Sequence, residues 1–261
     1  MHVLKSFSDG MAFQIRRGAY GTSAMVRESW YRLVRLPADE ILWWLWDRGY
    51  TSSSRSLSRR NVVAHLQRET LLQVAPRHIE FFVGFDTRRS KRRFLWPGDW
   101  EEHAQPIRNH QRYRLMHDAL HFRDRVRQSP TFERLLGQLH AGRPRAIVNK
   151  GLLLDSPERI EAFLEQQVLL LDSIAEQGLR LDLAPDEINV AVGRNGDLYK
   201  VNAGRKRTMA AKLLGIAAMP VRITQMHPLW LERFRGPDSE RQARALVRAL
   251  AAVRDRHRWD E

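Results

Sequence analysis

The residues best suited to chemistry in this 261-residue sequence form a short cationic run that follows a glycine. Glycine lets the backbone approach a ligand closely, and a helix is predicted just beyond it, whose amino end attracts anions. Arginine adds a planar fork of donors that matches phosphate oxygens. The run therefore predicts a phosphate site formed by Gly204, Arg205, Lys206, Arg207 and Thr208.

Predicted secondary structure places this run between a hairpin and a short helix. Upstream, Ser156-Pro157 is a typical helix start, apolar residues then recur at three- and four-residue spacing, and Gly178 is a typical helix end. An Asn-Gly pair at 195–196 predicts a hairpin turn. The other predicted elements of this half are strands over 188–192, 198–201 and 221–223, a short helix over 208–214 and a basic helix over 241–258.

The rest of the sequence predicts a mixed architecture. Helical patterns cover 39–48, 61–72 and 108–127, and aromatic and β-branched residues predict a strand over 78–85. The expected fold class is α/β (α+β). Its predicted parts are a mixed α+β extension over 1–140 that packs on the second half, a more regular second half that carries the cationic run, and a carboxyl-terminal basic helix over 231–261.

The charge balance favours anionic partners. The chain carries 44 Lys and Arg against 30 Asp and Glu, a formal net charge of +14, which suits nucleotides, nucleic acid or an anionic membrane face. A basic surface without a specific partner is the alternative. Because the chain has no cysteine, disulfides, thiolate nucleophiles and cysteine metal sites are excluded. The longest apolar run, 41–46, is too short to span a membrane and no signal peptide is recognised, so a cytoplasmic protein is expected.

A second cationic run lies in the first half. Its positive residues are Arg88, Arg89, Lys91, Arg92 and Arg93. Such a run is either a solvated loop or a contact for a phosphate backbone, and Trp96 and Trp100 follow it as aromatics that could stack on bases. These five cations are the predicted nucleic-acid-binding residues.

Four segments in order resemble the amino-terminal domains of ParB proteins and the wider ParB/sulfiredoxin-like superfamily. The segments are 170–179, 196–207, 210–216 and 219–221, and the resemblance covers about residues 145–230. It implies an α/β nucleotide-binding fold in which Gly204 and Arg207 match the Gly-x-x-Arg signature that holds phosphates. It also implies ATP or CTP, with Mg²⁺, as the bound nucleotide.

The sequence departs from the superfamily at positions that carry catalysis. Arg205 stands where partition proteins have glutamate, and Ala203 stands where the family's serine kinases have an acid. The cysteine of sulfiredoxins is missing, and the residues after Trp230 are too few for a helix-turn-helix plus a dimerisation domain. A general base must come from elsewhere, and the predicted catalytic residues are Asp186, Glu187 and His227. Asp197 also lies near the run, as a residue of the predicted turn.

Histidines leave two further questions open. His227 belongs to a His-x-x-Trp motif that, together with Gly98-Asp99-Trp100, resembles elements of uncharacterised ParB-like proteins. It is either an acid/base group or a lining residue of a base pocket, with Trp230 stacking on it, or else a buried structural histidine beside a core tryptophan. His117 and His121 have the i, i+4 spacing of metal ligands, and His110 lies nearby. With no clear third ligand, no metal site is predicted.

Three functions follow from these observations. The first is an ATP- or CTP-dependent phosphotransferase or NTPase, in its sharpest form a kinase for a small hydroxylated substrate. The second is a nucleic-acid binder or nuclease, which the net charge and the 88–93 run favour. The third is a nucleotide sensor without catalysis, which the loss of both acids around Gly204 favours.

Overall fold

The computed structural model describes residues 36–50, 57–84, 93–147, 151–179, 187–201, 203–237 and 240–259. Within them the chain forms eight α-helices and eight β-strands. The helices are α1 (Leu36–Asp47), α2 (Arg59–His65), α3 (Gln111–His121), α4 (Pro130–His140), α5 (Pro157–Gln177), α6 (Arg205–Leu213), α7 (Pro228–Glu232) and α8 (Gln242–Arg256). The strands are β1 (Leu71–Val74), β2 (Phe81–Phe82), β3 (Gln105–Pro106), β4 (Arg145–Ile147), β5 (Leu152–Leu154), β6 (Asn189–Val192), β7 (Leu198–Lys200) and β8 (Met219–Met226).

Six strands form one mixed sheet in the order β1-β8-β6-β7-β2-β3, and β4 pairs with β5 in a separate two-stranded sheet. In the larger sheet β8 runs parallel to β6 and β2 runs parallel to β7, whereas the other neighbours are antiparallel. The protein is therefore a mixed α+β fold. Three strands of this sheet precede the predicted boundary at 140–145 and three follow it, so the sheet crosses that boundary.

The core lies around strand β8 and the helices packed on the sheet. Every residue of β8 is buried, as expected for a strand that is paired on both edges. Helix α3 packs against α5 and α6, and α5 also packs against α4. A separate cluster of buried apolar side chains from α4, α5 and β5 includes Phe132, Leu135, Leu154, Ile160 and Leu164. These contacts bring α3, α4 and α5 beside the first turn of α6.

Local sequence signals correctly predicted several elements. Helix α5 starts at Pro157 with Ser156 Oγ accepting from the Arg159 N–H at 3.3 Å, and it ends at Gly178, whose φ of 69° favours glycine. Strands β6 and β7 pair as the predicted hairpin. Helix α8 buries the predicted apolar face, which comprises Ala245, Leu246, Ala249, Leu250 and Val253.

Other predicted boundaries were wrong where tertiary pairing overrides local pattern. Helix α2 ends at His65, and Leu71 belongs to β1, because that segment pairs with the central strand β8. Of the strand predicted over 78–85, whose last residue lies outside the described ranges, only Phe81–Phe82 forms a strand. Residues 76–78 form a 3-10 turn instead. Helix α3 is shorter than the predicted 108–127 and is flanked by 3-10 turns. Among the described residues, no helix has both the length and the apolar character needed to cross a membrane.

Candidate functional site

The predicted phosphate run forms the first turn of α6, three residues earlier than the sequence predicted. Gly204 is the N-cap and has a left-handed φ of 78°. A Cβ at this position would lie 2.7 Å from the Cα of Ile188 and 3.2 Å from the carbonyl oxygen of Glu187. Glycine is therefore required because the turn packs against the chain entering β6, whereas the sequence analysis attributed it to the approach of a ligand.

The three cations after Gly204 diverge because successive residues of a helix point about 100° apart. Arg205 lies close enough to α3 to lower the pKa values of His110 and Arg112. Lys206 points to α5, where its ammonium donates to Gln167 Oε1 and lies 5.3 Å from the ring centre of Phe163. The run is thus spread over several neighbours instead of forming one compact cradle.

Thr208 lies on the inner side of this turn. It is fully buried, and its hydroxyl donates to the Gly204 carbonyl oxygen at 3.0 Å. This bond uses the hydroxyl hydrogen inside the helix, so nothing in the geometry supports Thr208 as a ligand of phosphate. Its backbone N–H also donates to the Gly204 carbonyl, at 3.0 Å. Thr208 stabilises the turn that carries the cations.

A small cleft with a cavity volume of about 80 Å³ opens beside this turn, between α3, α4, β4, α5 and α6. Its cationic lining residues are Arg112, Arg134, Arg145 and Lys206. Its apolar lining residues are Leu115, Leu135, Ile147 and Phe163, and its neutral polar ones are Gln111 and Thr131. None of these lining residues is acidic. An apolar lining with a few convergent polar groups is typical of small-molecule sites, and this cleft is smaller than the roughly 300–1,000 Å³ that such sites usually enclose.

The cations of the cleft repel one another. Burial, followed by the charges of Arg205 and Arg145, lowers the pKa of Arg112, and burial followed by Arg145 and Arg114 lowers that of Arg134. Burial together with the charges of Arg205 and Arg112 also lowers the pKa of His110 to about 4, so this histidine is neutral at pH 7. The region therefore carries an excess of positive charge that an anion would relieve.

The carboxylate of Asp118, which acts on Arg134 of the cleft, already accepts hydrogen bonds from the protein. Asp118 is buried, and its Oδ2 accepts from both the backbone N–H of Thr131 at 2.9 Å and the Thr131 hydroxyl at 2.6 Å. This carboxylate raises the pKa of Arg134, but by less than burial and the charges of Arg145 and Arg114 lower it. Within the described part of the chain, neither Arg112 nor Arg134 forms a salt bridge. Asp118 thus holds the start of α4 in place and offsets only part of the positive charge around Arg134.

Glu187, a predicted general base, forms a bidentate ion pair. Its Oε1 accepts from Arg222 Nη2 at 2.6 Å and its Oε2 accepts from Arg222 Nε at 2.9 Å. The hydrogen bond with Arg222 lowers the pKa of Glu187, which makes its carboxylate a weaker base. Arg222 is buried and also donates to Thr70 Oγ1 at 3.0 Å. The pair holds β8 to the segment before β6.

His227, the predicted acid/base residue, is the N-cap of α7. Its Nδ1 accepts from the Leu229 N–H at 3.1 Å, and its Nε2 therefore carries the proton and lies 3.2 Å from the Gly98 carbonyl oxygen. Burial is the largest cause that lowers its pKa. Both ring nitrogens are occupied within the protein, which favours the structural interpretation of His227 over the acid/base one. Trp100, at 6.3 Å, is the indole packed near this ring.

Substitutions at His227 separate these roles. His227→Leu is expected to lower the free energy of unfolding by about 1–3 kcal/mol, because it removes the cap and leaves the Gly98 carbonyl unpaired. His227→Asn keeps an N-cap acceptor and should recover about 1 kcal/mol of that loss. Urea denaturation of both variants measures the difference. Equal stabilities, or loss of a nucleotide-dependent activity in a fully folded His227→Asn protein, would contradict the capping role.

The Gly98-Asp99-Trp100 element contacts both His227 and the β6–β7 turn. Arg194, beside the β6–β7 turn, donates to Glu101 and, at 2.7 Å, to Asp99. Trp96 and Trp100 stack on each other at 4.3 Å, and Trp100 is buried. Since Trp100 uses its faces within the protein, the geometry does not favour it as a platform for nucleic-acid bases.

His117 and His121, the pair with the i, i+4 spacing of metal ligands, lie side by side on α3. The His117 and His121 rings stack at 4.0 Å, and His121 Nδ1 lies 2.9 Å from the His117 carbonyl oxygen. Across the described residues, no group of three or more His, Cys, Asp or Glu side chains could hold a metal ion. His110 is separated in role, since its Nδ1 accepts from the Arg112 N–H at 3.0 Å and caps α3.

Several predicted site residues lie outside the described part of the chain. These are Asp186 and four of the five cations of the second run, Arg88, Arg89, Lys91 and Arg92. Arg93 is described and exposed, and its backbone forms an isolated bridge with Ser58. Conversely, Arg112, Arg134 and Arg145 line the cleft but were not among the residues predicted from the sequence. The high density of arginine and histidine in the helix predicted over 108–127 was the signal that could have found Arg112.

Comparisons with known proteins supply no further assignment. The chain matches no protein-family model, no curated protein and no solved structure. The resemblance to ParB-like domains therefore stays a prediction. We therefore base the proposed function on the charges and contacts around the cleft.

Proposed function

We propose that the protein binds a nucleotide whose phosphates lie in the cleft beside α6. The observation that carries this proposal is the cleft lining, in which Arg112, Arg134, Arg145 and Lys206 surround apolar side chains without an acidic lining residue. An anionic group gains attraction from all four cations, while the apolar lining can cover a less polar part of the same ligand.

Phosphate suits this lining better than a single carboxylate does. Three of the four cations are arginines, whose planar forks donate two parallel hydrogen bonds to phosphate oxygens. A phosphate chain can also reach several of them at once, and it lies beside the amino end of α6 that the resemblance assigns to phosphates. The proposal keeps the predicted class, a ParB/sulfiredoxin-like protein that binds ATP or CTP with Mg²⁺ on the phosphate oxygens.

Phosphoryl transfer or hydrolysis is the proposed chemistry once the nucleotide is bound. Such chemistry depends mainly on positioning and on cations that neutralise developing charge, which Arg112 and its neighbours can supply. The ion pair of Glu187 and the cap formed by His227 make these two residues poor proton acceptors. If turnover is detected, we therefore propose Asp186 as the general base and as the first residue to replace. If no turnover is detected, we propose that the protein is a nucleotide sensor without catalysis.

A thermal-shift titration tests the binding proposal. With ATP, ADP, CTP and GTP, each with and without Mg²⁺, we expect at least one to raise the Tm by roughly 5–10 °C at 100 times its Kd. Arg134→Ala, which removes a cation from the cleft lining, should abolish or strongly reduce the shift. Arg77→Ala, at an exposed arginine of the 76–78 turn, is the matched control and should keep it.

Two outcomes would redirect the proposal. If no nucleotide raises the Tm, the nucleotide function is wrong. If single- or double-stranded nucleic acid binds with a steep salt dependence that nucleotides do not alter, the nucleic-acid function is favoured. Phosphate release with a panel of hydroxylated metabolites then separates an enzyme from a sensor.

A further inference from the structure

Lys200 is a buried lysine beneath the turn that begins α6. Only 1% of the residue is exposed. Its ammonium donates to three backbone carbonyl oxygens, those of Asn189 at 2.8 Å, Val201 and Ala203. Since an ammonium has three N–H donors, all of them are used by the backbone.

These three carbonyls belong to the segments that meet at the predicted phosphate run. Asn189 begins β6, Val201 follows β7, and Ala203 directly precedes Gly204. In a trans peptide the C=O and the N–H point in opposite directions. When the Ala203 carbonyl turns inward to the ammonium, the N–H of Gly204 must therefore point away from it, on the side of the α6 amino end.

The charge of Lys200 has no acidic partner in the described residues. The charged groups that face it are Arg205 and Arg207 of α6 and Arg59 of α2, and all three are cations. Burial first, and then these three guanidiniums, lower the pKa of Lys200 well below its ordinary value of 10.5. Burying an ammonium among cations is costly, and carbonyl dipoles offset only part of that cost.

We propose that Lys200 is the positioning residue of the nucleotide site: its ammonium holds the Ala203–Gly204 turn in the conformation that presents the α6 amino end, and the bound phosphates supply the negative charge that it lacks. This inference rests on the proposed function. Lys200 does not touch the nucleotide in this arrangement, because its three donors are used by the protein.

The proposal has a consequence for pH. Negative charge at the α6 amino end favours the charged form of Lys200, so binding raises its pKa and takes up a proton wherever the free protein has lost one. Nucleotide affinity should therefore fall as the pH rises above the lowered pKa that Lys200 has in the free protein. A lysine without electrostatic coupling to the phosphates would not produce this loss of affinity in protein that stays folded.

Two matched lysine variants test the proposal by calorimetric titration with the nucleotide that gives the largest thermal shift. Lys212, which is half-buried at the other end of α6, shares the bonding pattern, since its ammonium also donates to backbone carbonyls, those of Pro76 and Ile79, both at 2.9 Å. Lys200→Met should weaken binding at pH 7.5 at least tenfold and remove the alkaline loss of affinity. Lys212→Met should stay within about twofold of the wild type and keep that loss.

The outcomes separate this inference from the proposed function. A wild type that binds no nucleotide at any pH refutes the nucleotide function, and the role of Lys200 with it. A wild type that binds, together with a folded Lys200→Met protein of equal affinity, refutes the role of Lys200 alone. If Lys200→Met fails to fold, the wild type alone tests the proposal: a nucleotide affinity that does not fall at any point between pH 5 and pH 10 refutes it.

Discussion

Replacing Arg112 by methionine is expected to weaken nucleotide binding roughly 10- to 100-fold and yet leave the folded protein at least as stable as the wild type. Binding weakens because the variant loses a charge-assisted hydrogen bond to phosphate. Stability does not fall, because the pKa of Arg112 is already lowered by burial and by repulsion from Arg205 and Arg145. Methionine also keeps the apolar stem that packs in the cleft.

This pair of opposite effects distinguishes a binding residue from a structural one. Arg108→Met is the control, since Arg108 is exposed, lies four residues before Arg112 and does not line the cleft. It changes the net charge by the same amount and should alter the Kd less than threefold, a limit typical of a screened surface charge. A lower Tm in Arg112→Met with an unchanged Kd would mean that Arg112 only supports the fold. Titration calorimetry and thermal melting measure the two quantities.

Glu187→Gln is expected to lower the free energy of unfolding at pH 7 by about 1–3 kcal/mol. The substitution removes the charge that compensates Arg222, whose side chain is 5% exposed. Breaking a fully buried pair costs more, about 3–5 kcal/mol, but the side chain of Glu187 is 40% exposed and solvent screens part of the interaction. Glu102→Gln, at an exposed acid without a salt bridge among the described residues, is the matched control and should be nearly neutral.

The same variant makes a prediction about pH. The folded-state pKa of Glu187 is lowered from 4.5, so its contribution to stability is fully present above 4.5 and is lost as the pH falls through the lowered value. The difference between wild type and Glu187→Gln should therefore shrink in urea denaturation series run from pH 7 down to pH 3. A constant difference would show that the carboxylate's charge is not what stabilises the pair.

Glu187→Gln also tests the role that the sequence analysis assigned to Glu187. A general base loses turnover on conversion to the amide while stability stays the same. The ion pair with Arg222 predicts the reverse, a loss of stability with turnover per folded molecule unchanged. Phosphate release measured on protein of known folded fraction decides between the two.

Sequence alone determined the features that depend on neighbouring residues. The cap and proline at the start of α5, the Asn-Gly turn between β6 and β7, and the apolar stripe of α8 are each encoded within a few positions. The cationic run after Gly204 was recognised for the same reason, because its charges and its glycine are consecutive. Such signals act through backbone preference and short-range periodicity, which a linear sequence displays directly.

Only the tertiary structure decided which charged groups lie together in the cleft and which are paired within the protein. Glu187 and His227 looked like catalytic groups, but Arg222 and the carbonyl of Gly98, both far away in sequence, engage them. The cleft likewise combines Lys206 with arginines of α3, α4 and β4, some sixty to ninety-five positions earlier in the chain. Because helix packing sets these distances and burial sets the strength of each charge, the sequence could identify cations in abundance but not the ones that act together.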